Sequence, residues 1–245
     1  MSIPREVRDE IYSYLWGTTK ITFEFHDLPY HAVSAGTDWC TEPTSPGLPT
    51  WLLTSKTMLS EGLYTLHRCG KLVHEANLDT LLPFICKLSP CPRPYPLLIP
   101  AEFSSVLFCF QMSFGCFVIS EDAVEYEGHN LGTGFYALIL HMLKSKANAI
   151  RAIEVEMHEE YCCERPVPRM SVLAGLLKTS PLLDKFSVKL VGNLFSVDAP
   201  TSLEVWLKKF DRLAEVVFGT GRKVQAGRDL KDGVTNVDWF YASKE

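Results

Sequence analysis

The residues able to do chemistry are spread along this sequence, and only a few share a neighbourhood. Seven histidines stand at positions 26, 31, 67, 74, 129, 141 and 158. His141 falls inside the apolar run Phe135–Leu143. A lone ring there is either a hydrogen-bonded core residue or a base facing a pocket, and the core reading is the commoner one. Glu154, Glu156, His158, Glu159 and Glu160 form an acidic run closing a β-rich segment. The carboxyl ends of parallel strands are where α/β folds place ligands, so carboxylates there could act as base or hold an ion. A solvated charged rim needs no such role. Phe103, Phe108, Phe110, Phe114 and Phe117 could wall a small-molecule pocket or simply fill a core. If a pocket exists, its members are Phe108, Phe110, Phe117, His141, Glu156 and His158.

Motifs for metals and phosphates are incomplete. His74-Glu75 has Leu78 where a helical zinc site needs a second histidine. Gly132-Thr133-Gly134 precedes a helix but lacks the third glycine of a dinucleotide fingerprint and the Gly-Lys-Ser/Thr ending of a phosphate loop. No Gly-x-Ser-x-Gly elbow occurs. Of the eight cysteines, Cys86/Cys91 and Cys162/Cys163 are closely spaced, yet no second well-spaced pair completes a zinc set. No metal and no cofactor is expected, and the thiols read as free and mostly buried. The balance of these features leans away from catalysis and names no reaction.

The elements that must position such residues are clearer. Pro4 suits the first helical position, and Ile3, Val7, Ile11 and Leu15 recur every fourth residue with Tyr14 beside them, predicting an amphipathic helix ended at Gly17. Burial of that stripe in the chain's own core is the expectation its spacing favours. Lys20–Phe25 alternates at period two and reads as a strand. A Pro/Gly/Ser-rich loop over 34–50 leads to a helix from Trp51 to Cys69, with Leu52, Leu59, Leu63 and Leu66 inward. A short helix over Leu78–Leu88 precedes a proline-rich connector at Pro90–Pro100. Ser105–Gln111 and Phe114–Ser120 read as strands pairing around Met112-Ser113.

Helices and strands then alternate. Helices are expected over Leu131–Ser145, Met170–Thr179 and Thr201–Arg212, and strands over Ile150–Met157, Lys185–Val191, Ala214–Phe218 and Val234–Tyr241. Segments starting at Ala149, Leu182 and Phe210 share a grammar at spacings of 33 and 28 residues. They read either as a degenerate leucine-rich-repeat-like series or as an ordinary α/β layer with right-handed crossovers, the second being favoured.

Composition bounds the rest. Of 245 residues 47% are apolar and 22% charged, which fits a globular chain with a real core rather than a disordered one. Lys+Arg number 24 against 29 Asp+Glu, and the resulting −5 argues against a broad nucleic-acid face. No run of about 18 apolar residues suggests a membrane span, and the charged first turns do not read as a secretory signal. An intracellular protein, cytoplasmic or nuclear, is expected.

Ile3-Pro4-Arg5-Glu6-Val7-Arg8-Asp9-Glu10-Ile11-Tyr12-Ser13-Tyr14-Leu15 resembles the first helix of F-box domains. It is most similar to a large group of poorly characterised fungal F-box-like proteins. In these, Pro-x-Glu-Leu/Val-Arg-x-x-Ile-Tyr is followed by a second helix and a Ser-Glu pair, matched here by Leu52-Leu53-Thr54-Ser55-Lys56-Thr57-Met58-Leu59-Ser60-Glu61. The resemblance implies a protein-interaction module in which Pro4, Val7, Ile11 and Leu15 dock a Skp1-type adaptor of a ubiquitin ligase. With the element pattern read above, the chain is expected to be α+β, α/β in its C-terminal half: helices that the resemblance makes F-box-like, with a small strand insertion, over 1–90, then a β-α layered domain over 101–245, the two able to pack as one. The alternative is a cofactor-independent enzyme or small-molecule binder, for example in fungal secondary metabolism, using the aromatic pocket above.

Overall fold

A computed structural model describes residues 3–17, 19–25, 28–34, 48–76, 97–112, 116–119, 124–127, 148–159, 181–191, 202–231 and 235–244. The described elements are α1 (Arg5–Trp16), β1 (Lys20–Phe25), β2 (Leu28–Ser34), a 3-10 turn (Thr50–Thr54), α2 (Lys56–Cys69), β3 (Gly70–Ala76) and a second 3-10 turn (Pro100–Glu102). After them come β4 (Ser105–Met112), β5 (Cys116–Ile119), β6 (Val124–Glu127), β7 (Ala152–Glu159), β8 (Lys185–Val191), α3 (Ser202–Phe218), β9 (Arg222–Lys231) and β10 (Thr235–Lys244). The expected helices over 78–88, 131–145 and 170–179 lie outside the described residues. No described helix is long and apolar enough to cross a membrane.

The fold is mixed α+β, built on an eight-stranded sheet of order β1-β2-β3-β4-β7-β8-β10-β9. Its centre is parallel: β3 with β4, β4 with β7, β7 with β8. Its flanks are antiparallel, β1-β2-β3 on one side and β8-β10-β9 on the other. The pairing of β3 with β4 carries the sheet across the proline-rich segment at 90–100. One hydrophobic cluster also runs from Tyr12 through Val106 and Val188 to Ala242. A second, smaller cluster, Val33, Val73 and Leu107, lies on the sheet face away from the described helices.

Three sequence expectations are corrected. β5 does not pair with β4; it pairs with β6 in a separate two-stranded sheet. Both edges of β4 are occupied by β3 and β7, so no edge remains for a hairpin partner. Ala214–Phe218 is not a strand but the last turn and a half of α3. Phe210, Leu213 and Ala214 are buried, and the stripe continues through Val217, until Gly219 ends the helix at φ +76° with its N–H on the Glu215 carbonyl 2.8 Å away. The third β-α unit is therefore a helix, and the strand beside β8 is the antiparallel β10. β2, β3, β6 and β9 were not expected from the sequence.

Candidate functional site

The site with the most structure around it is α1 and its seat on α2. Pro4 caps α1 from just outside, in extended backbone (φ −53°, ψ 150°), and its carbonyl accepts from the Arg8 N–H at 3.1 Å. The helix inverts the face expected for it. Val7 is 45% exposed, Ile11 43% and Ile3 53%, while Tyr12 and Trp16 are buried; Leu15 is half-buried and Pro4 exposed. Positions 8, 12 and 16 share a spacing of four just as 3, 7, 11 and 15 do. Periodicity alone cannot rank two such stripes. Size and polarity of the side chains can, because each buried aromatic removes roughly 150–250 Å² from water and the indole and phenol also find polar partners.

Those partners come from α2. Arg8 donates to both carboxylate oxygens of Glu61 at 2.9 Å, and the Tyr12 hydroxyl donates to Glu61 Oε2 at 3.1 Å. The Trp16 indole N–H donates to the Gly62 carbonyl at 2.9 Å, within the core. Trp51 packs between them, stacked on Tyr12 at 6.0 Å and edge-on to Trp16 at 5.1 Å. Gly62 makes the approach possible, since a Cβ there would lie 2.4 Å from Leu52 Cδ1 and 3.2 Å from Trp51. The hydrogen bonds from Arg8, then that from Tyr12, hold the Glu61 carboxyl below its ordinary range, and Glu61 holds the guanidinium above its own. The Tyr12 hydroxyl is raised by burial first and by Glu61 second. Ser55 caps α2 by accepting from the Met58 N–H.

The consequence concerns the residues that carry the resemblance. Arg8, Tyr12 and Glu61 all lie within the two segments quoted for the resemblance, and here they form one clasp that joins segments about 50 residues apart. Val7, Ile11, Ile3 and Tyr14 (84% exposed) are turned to the opposite side. Beside this outward face, a cleft of about 280 Å³ lies between α1 and α2, lined by Asp9, Glu10, Ser13, Tyr64, Thr65, Arg68 and Cys69. Arg5 sits over the Tyr64 ring at 5.2 Å and pairs with Asp9 at 3.0 Å.

The alternative pocket does not assemble among the described residues. Phe108 is buried on the helix side of the sheet, with Val106 and Val155. Glu156, also buried, holds the alternate register position, opposite Cys109 and Lys189, and so belongs to the other face. Phe110 and His158 lie further along β4 and β7, Phe117 is in the separate β5-β6 sheet, and His141 lies outside the described residues. Glu154, from the acidic run, accepts from Lys71 Nζ through both oxygens at 2.9 Å, tying β7 to β3 across β4. Its role is to join strands.

Two histidines that the sequence did not single out are drawn inward, His31 half-buried and His67 buried. His31 Nδ1 lies 2.9 Å from Thr22 Oγ1, its cross-strand partner, and burial, with Lys20 and His74 nearby, lowers its pKa to about 4. His67 lies 3.2 Å from Glu102 and edge-on to Phe103, and burial lowers it also to about 4. Both are neutral near pH 7, so the His67 Nδ1–H donates to Glu102. Compared with known proteins, the chain matches no family model, no curated protein and no solved structure.

Proposed function

We propose that the chain is an F-box-like protein-interaction module whose first helix docks a Skp1-type adaptor, placing the rest of the fold as a substrate-recruiting arm of a ubiquitin ligase. The observation that carries this reading is the outward aliphatic stripe of α1. Val7 and Ile11, with Ile3 just ahead of the helix, stay exposed although aromatic and charged neighbours on the same helix are anchored to α2. An amphipathic helix presents anchors at i and i+4 to a partner groove, and positions 7 and 11 have that spacing. Because the helix is held from behind, little ordering would remain to oppose binding.

The test is co-purification with a Skp1-type adaptor. Wild type should retain it, and Val7→Asp and Ile11→Asp should each weaken retention by about tenfold or more, as loss of a central apolar anchor does. Both positions are exposed, so the variants should melt within a few degrees of wild type. A folded wild type that retains no adaptor would remove the ubiquitin-ligase part of the proposal.

A further inference from the structure

The opposite end of the sheet carries a face that the α1 reading does not use. Register places its residues in rows across β8, β10 and β9. Lys185, Ser243 and Lys223 form one row; Ser187, Tyr241 and Gln225 the next; Lys189, Trp239 and Gly227 the third; Val191, Val237 and Asp229 the fourth. The central column is thus Ser243, Tyr241 and Trp239, with lysines at three of the four corners of the first three rows. Lys185, Lys223 and Gln225 are exposed, and Ser187, Lys189, Trp239, Tyr241 and Ser243 are partly exposed. The other side of the same strands is closed by core, with Phe186, Val188, Phe240 and Ala242 packed together with Phe210, Leu213 and Ala214 of α3.

Trp239 is held in a particular pose. A Cβ on Gly227 would lie 2.4 Å from its Cζ2 and 2.7 Å from its Cε2, so the indole lies over the β9 backbone where glycine leaves room. Tyr241 follows it on the same face about 7 Å along β10, and Lys185 and Lys223 flank Ser243 about 10 Å apart. Among the described residues, the acidic groups of this face are Asp229 in the far row and, from β7, Glu154 beside Ser187 and the buried Glu156 beside Lys189; Glu154 is already paired with Lys71.

We propose that this face binds single-stranded nucleic acid, with bases stacked on Trp239 and Tyr241 and phosphates drawn to Lys185, Lys189 and Lys223. Unpaired bases use both features, since every base has a face to stack and every linkage carries a charge. An acidic peptide would satisfy the lysines but leave the rings without a stacking partner. A neutral sugar would satisfy the rings but not the lysines. A duplex keeps its base faces internal and would leave Trp239 and Tyr241 without stacking partners. The net −5 of the whole chain limits the footprint to this patch rather than a broad face.

Fluorescence anisotropy with 5′-fluorescein-labelled dT8 and rU8, titrated at several salt concentrations, tests this on the full chain. Wild type should bind, with log affinity falling against log salt at a slope of about −2, as three contacts to a single strand give. Trp239→Ala should weaken binding about tenfold while Trp239→Phe keeps most of it. Lys185→Glu with Lys223→Glu, both exposed and safe for folding, should remove binding, and Val7→Asp should leave it unchanged. Absence of wild-type binding at low salt would overturn the proposal, as would binding indifferent to the double lysine reversal. Competition by a poly-glutamate peptide as strong as by unlabelled dT8 would also overturn it, because charge alone would then explain the interaction.

Discussion

Gly62 and Glu61 are adjacent in sequence and do opposite jobs at the same junction. Gly62 works by what it lacks. Alanine would add helix propensity of roughly 1 kcal/mol to α2, but its methyl would press on the end of the fully buried Leu52 side chain and on Trp51. Overpacking of that kind costs about 1–3 kcal/mol, so Gly62→Ala should lower stability by up to about 2 kcal/mol net in urea denaturation. Glu61 works by what it accepts. Glu61→Gln keeps the shape but loses the charge-assisted bonds from Arg8, so hydrogen exchange across Arg5–Trp16 should quicken while that of β7 and β8 is unchanged. None of this could be read from residue 61 or 62 alone. The Ser-Glu pair was visible as part of a motif, but not as the acceptor for Arg8, because a pairing across about 50 residues leaves no local periodicity.

Helices show where sequence patterning succeeds and where it divides. For α2 the inward leucines at 63 and 66 were legible because only one stripe of that helix is strongly apolar, and Leu52 was legible in the turn before it. For α1 two stripes compete, and the aromatic one is seated against Trp51 and Gly62. Trp16→Ala should therefore cost about 3–5 kcal/mol, whereas Val7→Ala and Ile11→Ala should stay within about 0.5 kcal/mol of wild type; urea midpoints distinguish the two faces. At the end of α3, β-branched Val216 and Val217 suggested a strand, but their place on a stripe already begun by Phe210 and Leu213 kept the helix running to Gly219. That glycine adopts a left-handed conformation with open space around it. Gly219→Ala should cost about 1–2 kcal/mol by calorimetry, through backbone strain alone.

At the scale of the molecule, the sheet joins segments that composition would separate, and its acid response follows from what it buries. His31 bridges β2 to β1, and His67 lies on the inner end of α2; both are kept neutral, with pKa values lowered from 6.5 to about 4. A lowered histidine pKa means the unfolded chain binds protons that the native state refuses. Stability should be level above about pH 7 and fall as the pH drops from 6.5 toward 4, by up to about 1.4 kcal/mol per pH unit for each ring. Glu61, whose native pKa is depressed, extends the loss below 4.5 as its carboxylate is neutralised. Urea unfolding at pH 7, 6 and 5 checks this, and His31→Gln with His67→Gln should flatten the profile in that range.

By itself the sequence determined the local elements. β1 and β8 occur over the expected residues, α2 ends at the expected Cys69, and the mixed α+β class follows from the same periodicities. It determined these because alternation at 2.0 and recurrence at 3.6 are written in consecutive side chains. Only the tertiary structure decided which stripe of α1 faces inward, which edge each strand finds, and which of Phe108 and Glu156 shares a face with which neighbours. Those outcomes depend on partners distant in the chain. Arg8 meets Glu61 and Lys71 meets Glu154, each through contacts that form only once the sheet and helices have closed on one another.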